Sequence, residues 1–300
     1  MTLGVLLKLR LYPLNLKQLG LAQGMCDVKK CAPDRFFVVG FSNACFLMLE
    51  PPFHSKENKG GFYVALRNFV VGWIRFNKRS SLMTFTELAR KEAARYWDGS
   101  FEHPFVQSLA AGKLAPEIFR YYLLQDRYYL EHFSKLYSLI AEQTEDQAVQ
   151  TQLRENAENL KLGELAIREE FFSELAISDK EILETAIAPT AYHYVSHMYR
   201  QLIDGTPNSA FAGMLPCAWL YQEIGIRLIE AGSSHPLYQR WIETYAGEAA
   251  AEGIKKERAL LDRLYEESSK EEQQQMIEAF VISSKMEYAF WEMAVNLEKW

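Results

Sequence analysis

The sequence predicts an all-α fold for residues 83–300, a compact helical bundle, preceded by an extension of different character. Three observations carry this. From Met83 onward apolar residues recur at three- and four-residue intervals, and capping residues, Pro and Gly punctuate them at helix-length spacing. No segment shows strand alternation closed by hairpin turns. Composition also changes at Met83. The 300 residues carry a formal net charge of −6, but residues 1–82 hold 12 Lys and Arg against 4 Asp and Glu, and the rest hold 21 against 35. The two parts therefore carry +8 and −14. With 49% hydrophobic and 24% charged residues the chain is ordinary for a globular protein. Four Cys are too few for a disulfide scaffold. No apolar run reaches the roughly 18 residues of a membrane span, and the acidic balance argues against a nucleic-acid binder.

Residues 1–82 contain Cys26, Cys31 and Cys45 and show little sustained periodicity. Phe36–Leu49 is their most apolar stretch, at 14 residues too short to span a bilayer. Lys8 and Arg10 interrupt the Leu-rich start, so it makes a poor signal peptide. Glu50-Pro51-Pro52 and Lys59-Gly60-Gly61 are breakers. Cys26 and Cys31 lack the following pair that a zinc site needs. The expectation is that translation starts at Met83: Lys78-Arg79-Ser80 can be encoded AAA-AGG-AGC, which contains a ribosome-binding AAGGAG. The competing reading is a poorly ordered targeting or membrane-associating extension. The intact mass of the native protein decides between them.

Thr84 and Glu87 fit a capping box opening a short helix to about Trp97, stopped by Asp98-Gly99. His103-Pro104 starts another, with Pro in the first turn. Pro116 opens a long helix to about Gln143, whose buried stripe is Phe119, Tyr122, Leu123, Tyr129, Leu130, Phe133, Leu136, Tyr137 and Ile140. Thr144–Leu175 reads as a second long helix with a kink at Gly163. Ser178–Ala186, Pro189–Ile203 and Asn208–Ala231 follow. Pro236–Tyr245 and Ala246–Glu267 read as one helix or two joined at Gly247, and Lys270–Glu298 is the last. The total is about eight to ten helices. Several carry aromatics on more than one face, so the bundle is compact or oligomeric.

Few residues offer chemistry. No His has Glu three positions before it, so the di-iron signature is missing. His193 and His197 have no Glu between them in a zincin arrangement and read as ordinary helix histidines. No phosphate-binding glycine motif occurs. Cys217, the single Cys after Met83, follows Pro216 in an apolar helix that the Pro should bend. A lone helical Cys is usually an inert core residue, and only a pocket beside it makes it a nucleophile. Tyr122, Asp126 and Tyr129 share one helical face. Asp126 is there either a buried carboxylate needing partners or half of an ion pair with Arg127 or a neighbour. Glu287 shares its side with Phe290 and Trp291; burial there would raise its pKa and suit it to proton transfer, whereas the plainer reading is a polar-edge Glu.

Several separated motifs then resemble one family. They are Tyr122-Leu-Leu-Gln-Asp126-Arg-Tyr-Tyr129, Ala191-Tyr-His-Tyr194 with His197-Met-Tyr, Met214-Leu-Pro-Cys217-Ala-Trp-Leu-Tyr221, Trp241-Ile-Glu-Thr-Tyr245, and Met286-Glu287-Tyr-Ala-Phe290-Trp-Glu-Met-Ala. Their order, and the 91, 28 and 42 residues separating Asp126, Cys217, Tyr245 and Glu287, are similar to the TenA family (thiaminase II, aminopyrimidine aminohydrolase). The resemblance covers residues 83–300 and implies a haem-oxygenase-like helical bundle without haem, usually a homotetramer. Cys217 implies the cysteine class. The implied substrate is an aminopyrimidine with a leaving group on its 5-methylene, either 4-amino-5-aminomethyl-2-methylpyrimidine or thiamin, which water converts to hydroxymethylpyrimidine. The implied roles are Cys217 as nucleophile, Glu287 as proton carrier and Asp126 as the anchor of the exocyclic amine and ring nitrogen. Tyr129, Tyr194, Tyr221, Tyr245 and Phe290 would stack on the ring or orient its substituent. No cofactor, metal, nucleic acid or membrane is implied for 83–300, and a catalytic thiol implies the cytoplasm. Two alternatives stay open on the same fold: a non-catalytic pyrimidine-binding or regulatory protein, and a haem- or metal-dependent oxidase.

Overall fold

The computed structural model describes residues 83–300 apart from residue 163, with the side chains of 164–168 and 249 left out, and the backbone of 10–12, 37–41 and 45–49. Two compact units result, 1–81 and 82–300. In the first, β1 (Arg10–Tyr12), β2 (Phe37–Phe41) and β3 (Cys45–Leu49) form an antiparallel sheet in the order β1-β3-β2. In the β2–β3 register Phe41 pairs with Cys45. This sheet lies in the extension, which the sequence showed only as a stretch with little sustained periodicity, and leaves the strand-free expectation for 83–300 intact among the described residues. Phe-Val-Val-Gly-Phe and Cys-Phe-Leu-Met-Leu are continuous apolar runs, and such runs lack the period-two signal of a half-buried strand. The other readings made for 1–82 lie outside the described residues.

The second unit is helical throughout its described residues. The helices are α1 (Phe85–Glu92), α2 (Ala94–Phe101), α3 (Pro104–Ala110), α4 (Pro116–Gln143), α5 (Gln147–Leu162), α6 (Glu164–Glu174), α7 (Asp179–Glu184), α8 (Pro189–Asp204), α9 (Pro207–Ile229), α10 (Pro236–Tyr245), α11 (Glu248–Glu267) and α12 (Lys270–Asn296). Local chemistry explains most boundaries. Thr84 Oγ1 accepts from Glu87 N at 3.3 Å while Glu87 Oε2 accepts from Thr84 N at 3.0 Å, completing the capping box. His103 Nδ1 caps α3 by accepting from Phe105 N at 3.1 Å. Asp146 Oδ1 accepts from the backbone N–H groups of Ala148 and Val149, at 3.0 and 3.1 Å, and so opens α5.

Twelve helical segments are described against the expected eight to ten, because the first expected helix divides and the Thr144–Leu175 helix is described as a segment on either side of residue 163. The first breaks at Ala93, and its second half runs past Asp98-Gly99 to Phe101. Gly99 does not stop it, because its missing Cβ lets the Tyr288 ring approach; a methyl there would stand 3.0 Å from that ring. The Thr144–Leu175 helix begins at Gln147 and is described on both sides of residue 163, and α10 and α11 are separate helices, one of the two readings the sequence left open.

Two long helices set the frame. α9 packs most extensively against α12, and Gly213 permits the close crossing, its Cβ position standing 3.5 Å from the Ala279 methyl. α4 packs against α5 and α8. Every apolar α4 position expected to be inside is buried. Trp97 stacks on Phe280 with ring centroids 5.7 Å apart, and Phe105 on Trp291 at 5.1 Å. Burying such rings supplies the main driving force for folding.

Candidate active site

One cavity of about 590 Å³ opens between α4, α5, α9, α10 and α11. That lies within the roughly 300–1,000 Å³ typical of small-molecule sites. Asp126, Cys217, Tyr221 and Tyr245 line it, four of the eight residues singled out in the sequence. Tyr129, Tyr194, Glu287 and Phe290 form a buried layer against Cys217 and Tyr221. A shallower surface depression along α4 and α8, bordered by Tyr128, His132 and Tyr199, contains none of the eight.

Cys217 lies on α9, half-buried, one residue after Pro216. The helix continues through Pro216, whose ring leaves one carbonyl of the preceding turn without its helical donor. Glu287, on α12, is 2% exposed and accepts a 2.6 Å hydrogen bond from the Tyr194 hydroxyl. It also lies within hydrogen-bonding reach of the Cys217 thiol. Burial pushes its carboxyl up to about 8; the Asp126 charge adds to the rise, and the Tyr194 and Cys217 hydrogen bonds oppose it. At neutral pH Glu287 is therefore mostly a neutral acid, able to donate a proton. The polar-edge reading of Glu287 does not hold.

Asp126 is 4% exposed and belongs to this group electrostatically, acting on both Glu287 and Tyr221. Its neighbour Arg127 pairs instead with Glu131 at 2.9 Å. The Tyr129 hydroxyl is buried, closes no hydrogen bond of ordinary geometry, and faces Cys217, Tyr194 and Glu287. Burial raises the phenols of Tyr129, Tyr194 and Tyr221 well above their ordinary range, so all three remain neutral donors.

The aromatic walls are continuous. Tyr129 stands 4.8 Å from Tyr194 and 5.9 Å from Phe290 between ring centroids. Tyr221 stands 4.9 Å from Tyr245 and 5.1 Å from Trp291. Tyr245 reaches Tyr221 because α9 carries Gly225 there: a Cβ at Gly225 would fall 2.8 Å from the Tyr245 carbonyl carbon. Gly225→Ala is accordingly expected to cost about 1–3 kcal/mol by overpacking, against the usual gain of Ala over Gly in a helix. It should also raise KM by shifting Tyr245; thermal melts and steady-state kinetics check both.

Sequence reasoning passed over three contributors. The Tyr122 hydroxyl lies 3.3 Å from that of Tyr221, although Tyr122 carried a visible signal as part of the α4 aromatic face. Asn156 and Glu257 on the cavity wall had none, lying in charged stretches that read as solvated helix. Among the described residues no group of three or more His, Cys, Asp or Glu is arranged to hold a metal, and no helix is long and apolar enough to cross a membrane. His193 is exposed, while His197 is 8% exposed and held neutral by burial.

Fold and site together define a helical-bundle protein whose small-molecule cavity has a thiol, a buried protonated carboxyl and an aromatic lining. The chain belongs to the TENA/THI-4/PQQC family, whose model matches residues 90–297. It is 42% identical over 218 residues to an aminopyrimidine aminohydrolase of Bacillus subtilis, covering 73% of this chain and 92% of that protein. It is similar to the crystal structure of a protein described as a TenA family transcription regulator from Silicibacter, with a TM-score of 0.66, 27% identity, and 71% and 96% of the two chains covered. A domain from Shewanella denitrificans with a heme oxygenase-like fold matches at a TM-score of 0.59 and 13% identity, covering 72% of this chain and 94% of that one, and bears on the fold alone. The haem-oxygenase-like architecture expected for the acidic portion is thus the one observed.

Proposed function

We propose that residues 83–300 form an aminopyrimidine aminohydrolase of thiamin salvage. It replaces the 5-methylene leaving group of 4-amino-5-aminomethyl-2-methylpyrimidine, or of thiamin, with water to give hydroxymethylpyrimidine. The observation that carries this reading is the Cys217 thiol on the cavity wall within reach of Glu287, whose carboxyl burial holds at about 8.

The chemistry follows from these groups. Direct displacement by water is slow, and covalent catalysis divides it into easier steps. The Cys217 thiolate adds to ring carbon C6 while Glu287 protonates the adjacent ring nitrogen. The exocyclic amine then pushes electrons through C4 and C5, and the bond to the leaving group breaks. Water adds to the exposed methylene, the ring nitrogen returns its proton to Glu287, and the C6–Sγ bond breaks. Asp126 holds the exocyclic amine and a ring nitrogen by charge-assisted hydrogen bonds. Tyr129, Tyr194, Tyr221, Tyr245 and Phe290 supply stacking faces and hydroxyls that orient the methylene substituent. Side chains alone supply this chemistry. The cytoplasm, where thiols stay reduced, suits it, and a homotetramer is the proposed assembly.

The name of the Silicibacter protein keeps a regulatory reading in view. A pure binder, however, gains nothing from a thiol beside an acid kept protonated by burial. Purified protein is expected to release ammonia and hydroxymethylpyrimidine from the aminomethylpyrimidine. Saturable binding of that compound with no ammonia would establish the regulatory reading instead.

A further inference from the structure

One wall of the cavity is unlike the rest. α5 presents Gln152 and Asn156 to it and α11 presents Glu257. Glu257 is 3% exposed and the Asn156 side chain is its hydrogen-bonding neighbour, yet neither Glu257 Oε2 nor the buried Asn156 Nδ2 closes a hydrogen bond of ordinary geometry. Asn156 is otherwise held in place, its Oδ1 accepting from Gln152 Nε2 at 2.8 Å. A buried donor and a buried acceptor that meet on a cavity wall without closing a full hydrogen bond are costly to keep and call for an explanation. They match one ligand group, a hydroxyl, which accepts from the amide and donates to the carboxyl. Burial pushes Glu257 up to about 8, so at neutral pH this carboxyl is largely uncharged and hydrogen-bonds a neutral group in either sense. Around it Glu155 and Glu252 outnumber Lys256 on the cavity lining, a field that repels anions.

We propose that Asn156 and Glu257 form a leaving-group subsite that takes the hydroxyl of a substituent longer than an amine, the hydroxyethyl arm of a thiazolium, and disfavours its phosphorylated forms. The proposal rests on the aminopyrimidine reading of the same cavity, because Asp126, Cys217 and Tyr221 must first seat the pyrimidine. The cavity, at about 590 Å³, has room for both rings of thiamin. On this account Asn156 and Glu257 choose among leaving groups, and the chemistry stays with Cys217 and Glu287.

The test is calorimetric binding of thiamin, thiamin monophosphate and the aminomethylpyrimidine to the full chain carrying Cys217→Ser, so that turnover does not interfere. Asn156→Leu and Glu257→Leu are then added separately. Each Leu is expected to weaken thiamin about tenfold relative to the aminomethylpyrimidine. Glu257→Gln, which keeps a donor and an acceptor, should retain most of the thiamin affinity. Thiamin monophosphate should bind the parent at least about tenfold more weakly than thiamin. Each Leu also changes folding stability, and thermal melts of each variant register that separately. Equal weakening of both ligands, or equal binding of thiamin and its monophosphate, overturns the subsite. A parent that binds neither thiamin nor the aminomethylpyrimidine overturns the aminopyrimidine reading itself.

Discussion

Cys217→Ser is expected to lower kcat for aminopyrimidine hydrolysis by about a thousandfold or more, with the dissociation constant for the substrate nearly unchanged. The two side chains have almost the same shape, so the half-buried position on α9 stays filled and the neighbouring rings keep their places. What changes is the nucleophile. A thiol ionises readily and is intrinsically nucleophilic; a serine hydroxyl needs a strong base beside it. Glu287 is mostly protonated at neutral pH and is a poor base for that purpose. The loss should therefore fall on kcat, because Asp126 and the aromatic walls that bind the ring are untouched. The measurement is steady-state kinetics beside equilibrium binding, and near-normal turnover by the Ser variant would rule out the covalent role.

Glu287→Gln is expected to lower kcat by about 10²–10⁴, the range for removing a general acid–base group. Gln still accepts from the Tyr194 hydroxyl, so the positioning of the two is kept. The pH dependence identifies the role. With Glu287 held at about 8, the acid form needed to protonate the ring nitrogen dominates below that value. Wild-type kcat/KM should accordingly fall as pH rises through about 8, and the residual activity of the Gln variant should lack that limb. Stability also falls as pH rises, beginning at a lower pH than activity. The folded-state value lies above the ordinary 4.5 of an unfolded Glu, so the native chain holds a proton that the unfolded chain releases. That contribution is fully present below about 4.5 and is lost as pH rises toward about 8. Gln never ionises, so the variant should melt higher than wild type by about 4 °C or more at pH 8, the two converging at pH 4.5. Glu257, also buried and held at about 8, adds a second loss over the same range.

Most of the acidic unit was legible in its sequence because helix ends are written locally. Thr84, His103, Ser178 and the prolines at 104, 116, 189 and 236 marked starts that the structure keeps. The breaks were harder. Gly99 has the look of a stop but serves a tertiary contact with Tyr288, whereas Gly247, where the sequence left one helix or two open, does separate α10 from α11. The β2–β3 hairpin escaped because its strands are apolar on both faces. The thiol, the carboxylates and the aromatics of the site were visible as motifs, but their meeting was not. Asp126, Cys217 and Glu287 lie on three helices far apart in sequence, and only the resemblance joined them in advance. Asn156 and Glu257 show the limit most plainly, since a Glu in a charged helix is indistinguishable from solvated surface until the cavity is seen.

The central claim is that Cys217 bonds to the pyrimidine during turnover. Its most direct test is mass spectrometry of the intact chain, acid-quenched while hydrolysis of the aminomethylpyrimidine proceeds, with Cys217→Ser alongside. The account predicts a substrate-dependent increment equal to the pyrimidine without its leaving group, mapped to the peptide containing Cys217 and absent from the Ser variant. An unmodified wild-type chain at every quench time, with ammonia still being released, would contradict it.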